Sequence, residues 1–296
     1  MKRKLTESPY LWAGLAIIMW STVSSAFKLS LRWLEPPQLL LLASLTSTVV
    51  LLVVAAAQGK LRLLLSTSPR DALHSALLGF ANPFLYYAIL FEAYNRLPAQ
   101  QAQTLNYTWA VMLALLSIPL LGQRPRLKDL LALLVSFGGA VVISVQGNFR
   151  TLRIEEPVGV ALALSTSVVW ALYWLFSLRD KRDETIKLLL GFVFGTAFIT
   201  LYNLVLGTGP IDLHGVPGAV YVGVFEMGLT FIVWLKALRL ATSTARVANL
   251  IYITPFISLV IIWLVLHEAI HPSTVVGLCL IVGGILWQQL SGRNRA

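Results

Sequence analysis

Val216–Arg239 reads VPGAVYVGVFEMGLTFIVWLKALR, and between Val216 and Leu235 its single charged residue is Glu226. A run of about 20 apolar residues, rising about 1.5 Å per residue as a helix, crosses a hydrocarbon layer about 30 Å thick with its backbone groups satisfied internally. A charged carboxylate near the middle of such a layer costs at least about 2.5 kcal/mol, so a glutamate kept there marks a functional candidate by default. Asp71–Asn95, DALHSALLGFANPFLYYAILFEAYN, is a second run of this kind. Its Gly79 and Asn82 answer to Gly223 and Glu226, 144 residues later. Arg96-Leu97 recurs as Arg239-Leu240 after 143, Tyr107 as Tyr252 after 145, and Gly138-Gly139 as Gly283-Gly284 after 145. Trp20 pairs more loosely with Trp170. The near-constant offset reads as an internal duplication.

The same ruler predicts ten spans: Tyr10–Ser30, Pro37–Ala57, Asp71–Asn95, Ala99–Leu121, Leu127–Gln146, Pro157–Leu178, Thr185–Leu206, Val216–Arg239, Thr242–Leu266 and Pro272–Leu290. The first follows Lys2, Arg3 and Lys4 but is too long for the apolar core of a signal peptide and has no convincing cleavage site, so it counts as a span. Five spans per half is an odd number, which turns the second half upside down relative to the first. The expected fold is an all-α membrane protein of ten transmembrane helices in two inverted-topology five-helix repeats, 1–146 and 157–290, around a central cavity near the midplane.

Composition agrees. Charged residues are 12% of the 296, against about 25% in ordinary globular chains, and mean hydropathy is +0.77. A soluble fold of this size has too little interior for so much apolar surface. The net charge of +10 does not point to nucleic acid, because the basic residues fall in short loops. With the N-terminus inside, 18 of the 23 lie on the cytoplasmic side; Lys28, Arg32, Arg96, Arg150 and Arg153 lie opposite. That bias argues for both termini on the cytoplasmic side. The lone Cys279 excludes an internal disulfide framework and any multi-cysteine metal centre.

The second-half run Gly223 to Trp234, Lys236 to Leu240, Ala248-Asn249, Tyr252-Ile-Thr-Pro255, Leu266-His-Glu268 and Val282-Gly-Gly284 resembles an EamA repeat of the drug/metabolite transporter superfamily. Leu105-Asn-Tyr-Thr-Trp109, Leu120-Leu-Gly-Gln123 and Phe137-Gly-Gly139 resemble the first repeat, and the likeness covers nearly the whole chain. Asn82-Pro-Phe-Leu-Tyr-Tyr87 and Leu97-Pro-Ala-Gln-Gln101 are most similar to the bacterial aromatic amino-acid exporter branch, the YddG-like proteins. The resemblance implies a cavity lined by the first, third, fourth, sixth, eighth and ninth helices. Gln123 stands where the repeat-end glutamate is usual, and Trp109-Ala110 where the second half has Pro255, so the site is not expected to be strictly symmetric.

The candidate substrate-binding residues follow from polar and aromatic side chains inside spans. Trp20 and Ser24, Asn82 and Tyr86, and Trp170 and Trp174 are i,i+4 pairs that share helix faces. Gln100, Gln103, Thr104 and Tyr107 form a stripe with Trp109 nearby; Arg246, Asn249 and Tyr252 form another, and Glu226 completes the set. Such a wall suits cargo with an apolar or aromatic body, and Glu226 suits an ammonium group or a coupling proton. Breaks at Pro83, Gly228 and Pro255 are hinge candidates, because proline removes a backbone donor and frees a carbonyl. Lys28 and Glu92 read as helix-end snorkellers or a mutual pair.

His267-Glu268-Ala269-Ile270-His271 spells HExxH, the zinc-protease pattern when both histidines sit on one helix. Pro272 biases His271 away from helical dihedrals and the segment falls between spans, so no metal and no cofactor is expected. No Walker loop or nucleophile elbow is present. The sequence thus reads as a secondary transporter working by alternating access, and its resemblance to the aromatic amino-acid exporter branch implies export of aromatic and other apolar amino acids. Its partners are the small-molecule cargo and the lipid bilayer, with no nucleic acid and no obligate protein partner. A broad drug/metabolite exporter is the alternative, and an intramembrane metalloprotease or a channel the rival of a different class.

Overall fold

The structure, a computed structural model, describes residues 8–121, 127–148, 150, 153–177, 179–242, 247 and 249–293, and these residues form helices and connecting turns. The helices are α1 (Pro9–Ser30), α2 (Pro36–Ala57), α3 (Pro69–Arg96), α4 (Ala99–Asn106), α5 (Trp109–Leu121), α6 (Leu127–Ser144), α7 (Pro157–Ser177), α8 (Glu184–Leu206), α9 (Leu213–Leu240), α10 (Asn249–Leu266) and α11 (Pro272–Arg293). Seven of them, α1, α2, α3, α7, α8, α9 and α10, are long and apolar enough to cross a membrane. The chain is therefore an all-helical, multi-pass membrane protein.

The sequence expectation needs adjustment in three places. The predicted span Ala99–Leu121 is broken at Tyr107 and Thr108 into α4 and α5, because its first half is rich in amides that make tertiary hydrogen bonds. The fifth and tenth predicted spans carry shorter apolar stretches, Leu130–Ser144 and Pro272–Trp287. In the ninth, Thr242 lies in a bend, Val247 is helical, and a tight 3-10 turn runs over Asn249–Ile253. Lys2, Arg3, Lys4, Gly122, Gln123, Arg124, Arg126, Leu178, Arg246, Ala248 and Arg295 lie outside the described residues.

Helix starts follow local chemistry. Pro9, Pro36, Pro69 and Pro157 open their helices at a position whose N–H has no helical partner to lose. Glu35 and Gln38 form a capping box on α2, and Asp183 accepts from the N–H groups of Thr185 and Ile186 at the start of α8. The faces are sorted for lipid rather than water. On α1 the buried side includes Ser21, Ser24, Ser25 and Ser30 while Ile18 is 59% exposed; on α2 Ser44 and Ser47 are buried while Val49 and Val53 are exposed. Where lipid is as apolar as leucine, small and hydroxylated residues make the helix contacts instead.

Two compact units form, and neither is a sequence half. One comprises residues 1–91 and 181–266, the other 92–180 and 267–296. In the first, α2 and α8 run antiparallel: Asn203 Nδ2 donates to Pro37 O at 3.0 Å, Ser44 and Thr196 hydroxyls meet at 2.6 Å, and Thr185 donates to Gln58 at 3.0 Å. α3 lies parallel to α8, from Arg182 on Asp71 O through Phe80 on Phe198 to Phe84 on Tyr202. α9 lies parallel to α2 in the same way, with Gly223 against Ala43 and Thr46 and Gly228 against Val50. In the second unit, α6 and α11 pack antiparallel through glycines: Gly139 faces Gly277 and Ile281, and Gly284 faces Ala132 and Ser136. Residues 277 and 281 are the 145-offset counterparts of 132 and 136, so the two contacts repeat each other.

Candidate functional site

α3 and α9 each contain one turn wound wider than an α-helix, Phe80–Leu85 in α3 and Gly223–Gly228 in α9, 143 residues apart. Such turns insert an extra residue and recur at functional positions. In α3 the break is made by Asn82, whose backbone is extended (φ −149°, ψ 120°), and by Pro83. In α9 it is made at Gly228 (φ −108°, ψ −89°), and the Thr230 hydroxyl bonds the Phe225 carbonyl within the same break. Both predicted hinges therefore stand at real interruptions, and Pro255 stands in the first turn after the 3-10 segment of α10.

The two wide turns carry the polar residues. The Tyr87 hydroxyl donates to Glu226 Oε1 at 3.0 Å; Oε2 has no hydrogen-bond partner and no cation pairs with the carboxylate among the described residues. Asn82 is only 2% exposed, yet neither its Oδ1 nor its Nδ2 finds a partner among the described residues. A buried amide left in this condition costs roughly 1–3 kcal/mol, and native folds rarely carry one without a reason. Tyr87 also packs on Tyr86 at 4.7 Å and on Phe91 at 5.5 Å, and Phe91 on Phe27 at 5.0 Å. Tyr221, five residues before Glu226 in α9, packs on Phe225 at 4.6 Å and shares a 2.6 Å hydrogen bond with Thr22. The result is a carboxyl group held by the Tyr87 hydroxyl within an apolar helical body, able to receive a cation or a proton at its other oxygen.

The remaining predicted residues divide between the units. In the first, Trp20 stands edge-on to Phe231 and Trp234, each at 5.7 Å, beside the Ala13, Ala16 and Ala237 cluster. Ser24 and Tyr252 are buried, and Asn249 opens the 3-10 turn of α10 half-buried. In the second unit Trp170 stacks on Tyr173 at 5.6 Å and meets Trp174 edge-on at 6.0 Å, while Tyr107 and Trp109, both half-buried, flank the break between α4 and α5. Gln100 does not join a lining stripe. It donates to Ala269 O at 2.8 Å and accepts from His271 N at 2.9 Å and Thr274 at 3.1 Å. Glu92 pairs with Arg96 at 2.6 Å.

Two features escaped the sequence. Tyr87 was hidden because an i,i+4 count assumes a regular helix, whereas the wide turn adds a residue between Asn82 and the tyrosines. Glu268 was read for its motif, but it accepts from the N–H groups of Ala99 and Gln100, capping the start of α4. His267 adopts a left-handed φ of 56°, so the HExxH residues do not share a helix face. Among the described residues no three His, Cys, Asp or Glu side chains are placed to hold a metal ion.

The sequence matches the EamA-like transporter family over residues 7–145 and again over 157–288. An uncharacterized transporter of Archaeoglobus fulgidus is 24% identical over 95% of this chain and 97% of its own length. The aromatic amino acid exporter YddG of Ancylobacter novellus is 26% identical over 73% of this chain and 76% of its own. A crystal structure 22% identical in sequence superposes with a TM-score of 0.67, covering 97% of this chain and 98% of that one, which speaks for the fold.

Proposed function

Because this chain belongs to the EamA-like transporter family, we propose that it exports amino acids, aromatic and other apolar ones, across a bacterial inner membrane by alternating access. The observation that carries the reading is the Tyr87–Glu226 pair with its unmatched carboxylate oxygen, set between two helix breaks inside an apolar unit. An amino acid brings the ammonium group that this oxygen lacks and an apolar body that suits tyrosine and tryptophan surroundings. Asn82, Tyr86, Glu226, Asn249 and Tyr252 are the proposed cargo contacts of the first unit, with Trp20 and Ser24; Tyr107, Trp109, Trp170 and Trp174 are those of the second. Pro83, Gly228 and Pro255 are the proposed hinges.

The inverted repeat is part of this proposal. In its support, α2 and α8 are the second helices of the two repeats and run antiparallel, as do α6 and α11, the fifth helices. Equivalent helices oppose each other when the relating axis lies in the membrane plane, as transporters with inverted repeats require. Ten crossings follow if α4 and α5 cross together and α6 and α11 cross as well, with 1–146 and 157–290 as the repeats. Both termini are then cytoplasmic, as the loop charges favour.

Counterflow in proteoliposomes tests the reading. Vesicles preloaded with unlabelled phenylalanine or tryptophan should accumulate the labelled amino acid transiently. Loss of trans-stimulation, with passive leak, would favour a channel; acceleration by unrelated organic cations but not by amino acids would favour a broad drug exporter.

A further inference from the structure

We propose that one end of the unit formed by residues 1–91 and 181–266 is a docking surface for anionic phospholipid headgroups. Three helix termini share this end: Thr185 at the start of α8 reaches Gln58 at the close of α2, and the Arg182 guanidinium donates to Asp71 O and Ser75 Oγ at the start of α3. Between α2 and α3 the chain turns at Gly59 (φ 68°) and makes one helical turn, Arg62–Leu65. That turn is held by Lys60, whose Nζ lies 2.8 Å from Asp183 Oδ2. Its leucines do not fold inward: Leu61 and Leu63 are exposed and Leu65 is 90% exposed. They continue the apolar exteriors of α2 and α3, where Leu52, Val53, Leu73 and Leu77 are also exposed.

Charge identifies the occupant. Over residues 58–71 and 181–187 there are six basic and three acidic side chains. The carboxylates are already engaged: Asp183 with Lys60, Glu184 with Lys187 at 2.9 Å, and Asp71 with the Ser68 hydroxyl at 2.7 Å. Arg62, Arg70 and Lys181 are exposed and have no partner among the described residues. An ordered leucine ledge bordered by three unmatched cations fits one environment well, the boundary where acyl chains give way to phosphate. A soluble anion would use the cations and leave the leucines in water. Each cation near an anionic surface contributes about fivefold in binding.

The test uses the full chain purified in detergent and reconstituted into phosphatidylcholine vesicles with a graded share of phosphatidylglycerol. Melting temperature and retention of labelled phosphatidylglycerol are read for the wild type, for Arg62→Gln with Arg70→Gln and Lys181→Gln, and for Leu65→Ser. The wild type should be stabilised and retain the lipid; the triple variant should match it in pure phosphatidylcholine but lose most of the response, and Leu65→Ser should lose part of it. If the triple variant misfolds, Arg62→Gln alone should still lower retention several-fold. An unchanged phosphatidylglycerol response in the variants overturns the proposal. So does a wild type that inorganic phosphate stabilises equally well, or one that phosphatidylglycerol does not affect.

Discussion

α3 and α9 use one device in two chemistries. Each packs parallel to the second helix of the other repeat, α3 on α8 and α9 on α2, and each opens into a wide turn just past a glycine. In α3 the turn holds a neutral amide and a proline, and the seam is backbone against backbone: a Cβ on Gly79 would collide with Gly191 O, and one on Gly195 would lie 2.5 Å from Pro83 Cδ. In α9 the turn holds a carboxyl group and ends on Gly228, and its seam sets Gly223 against the Ala43 carbonyl, 2.5 Å from a would-be Cβ, with the branched side chains of Thr46 and Val50 beside it. Shared geometry thus holds different residues: both copies press a glycine against a backbone carbonyl, but the α3 turn holds an amide and a proline, and the α9 turn holds a carboxyl group and ends on a glycine.

The sharpest way to break this contrast is to fill the tight seam. Gly79→Ala should cost about 1–3 kcal/mol, because Gly191 O is backbone and cannot step aside without moving α8. Gly14→Ala, with nothing within 4 Å of its would-be Cβ, should leave the melting temperature level or slightly raised. Equal melting temperatures for the two variants in the same detergent would show that the α3 seam is not tight.

Next in size is the chemical difference between the turns. Glu226→Gln keeps shape and removes charge, and should reduce amino-acid counterflow about tenfold, equivalent to about 1.4 kcal/mol. Asn82→Ala should reduce it only a few-fold at normal abundance. Comparable losses would mean that the two turns contribute alike and that charge is not the distinction. Tyr87→Phe removes the hydrogen bond to Glu226 and leaves the edge-on ring contact with Tyr86, so a two- to fivefold loss is expected, about 1 kcal/mol at most. Full activity in that variant would detach Tyr87 from the site.

Much of the arrangement was readable from residue pattern. Apolar run length located the seven long membrane-crossing helices, and the 143–145 offset pointed to Gly79, Gly223 and the polar residues behind them. Pattern failed where local geometry departs from a regular helix. Counting by four tied Asn82 to Tyr86, while the wide turn brought Tyr87 to Glu226. Counting apolar residues merged α4 and α5 across Tyr107, because the tertiary partners of Gln100 and Gln101 leave no trace in local hydropathy. For His267-Glu268-x-x-His271, Pro272 and the position between spans already argued against a zinc helix; what a five-letter motif does not carry is the φ angle of His267 or the helix cap that Glu268 makes.

The smallest predicted effect concerns the far end of the α3 seam, where α8 starts. Burial pushes the Asp183 carboxyl up, but the hydrogen bond and charge of Lys60 with the N–H groups of Ile186 and Thr185 outweigh it and hold the carboxyl below its ordinary value. An acid depressed in this way stabilises the fold above its unfolded pKa and loses that contribution as pH falls through the folded one. Asp183→Asn retains a capping oxygen and removes only the ion pair, whose side chains keep about a quarter of their surface exposed, so at neutral pH it should cost less than about 1 kcal/mol. The gap to the wild type should close once the pH drops below the ordinary aspartate range, read as melting temperature in detergent at the two pH values. A gap that stays constant would mean that the cap, rather than the charge on Lys60, ties α8 to the loop that leads into α3.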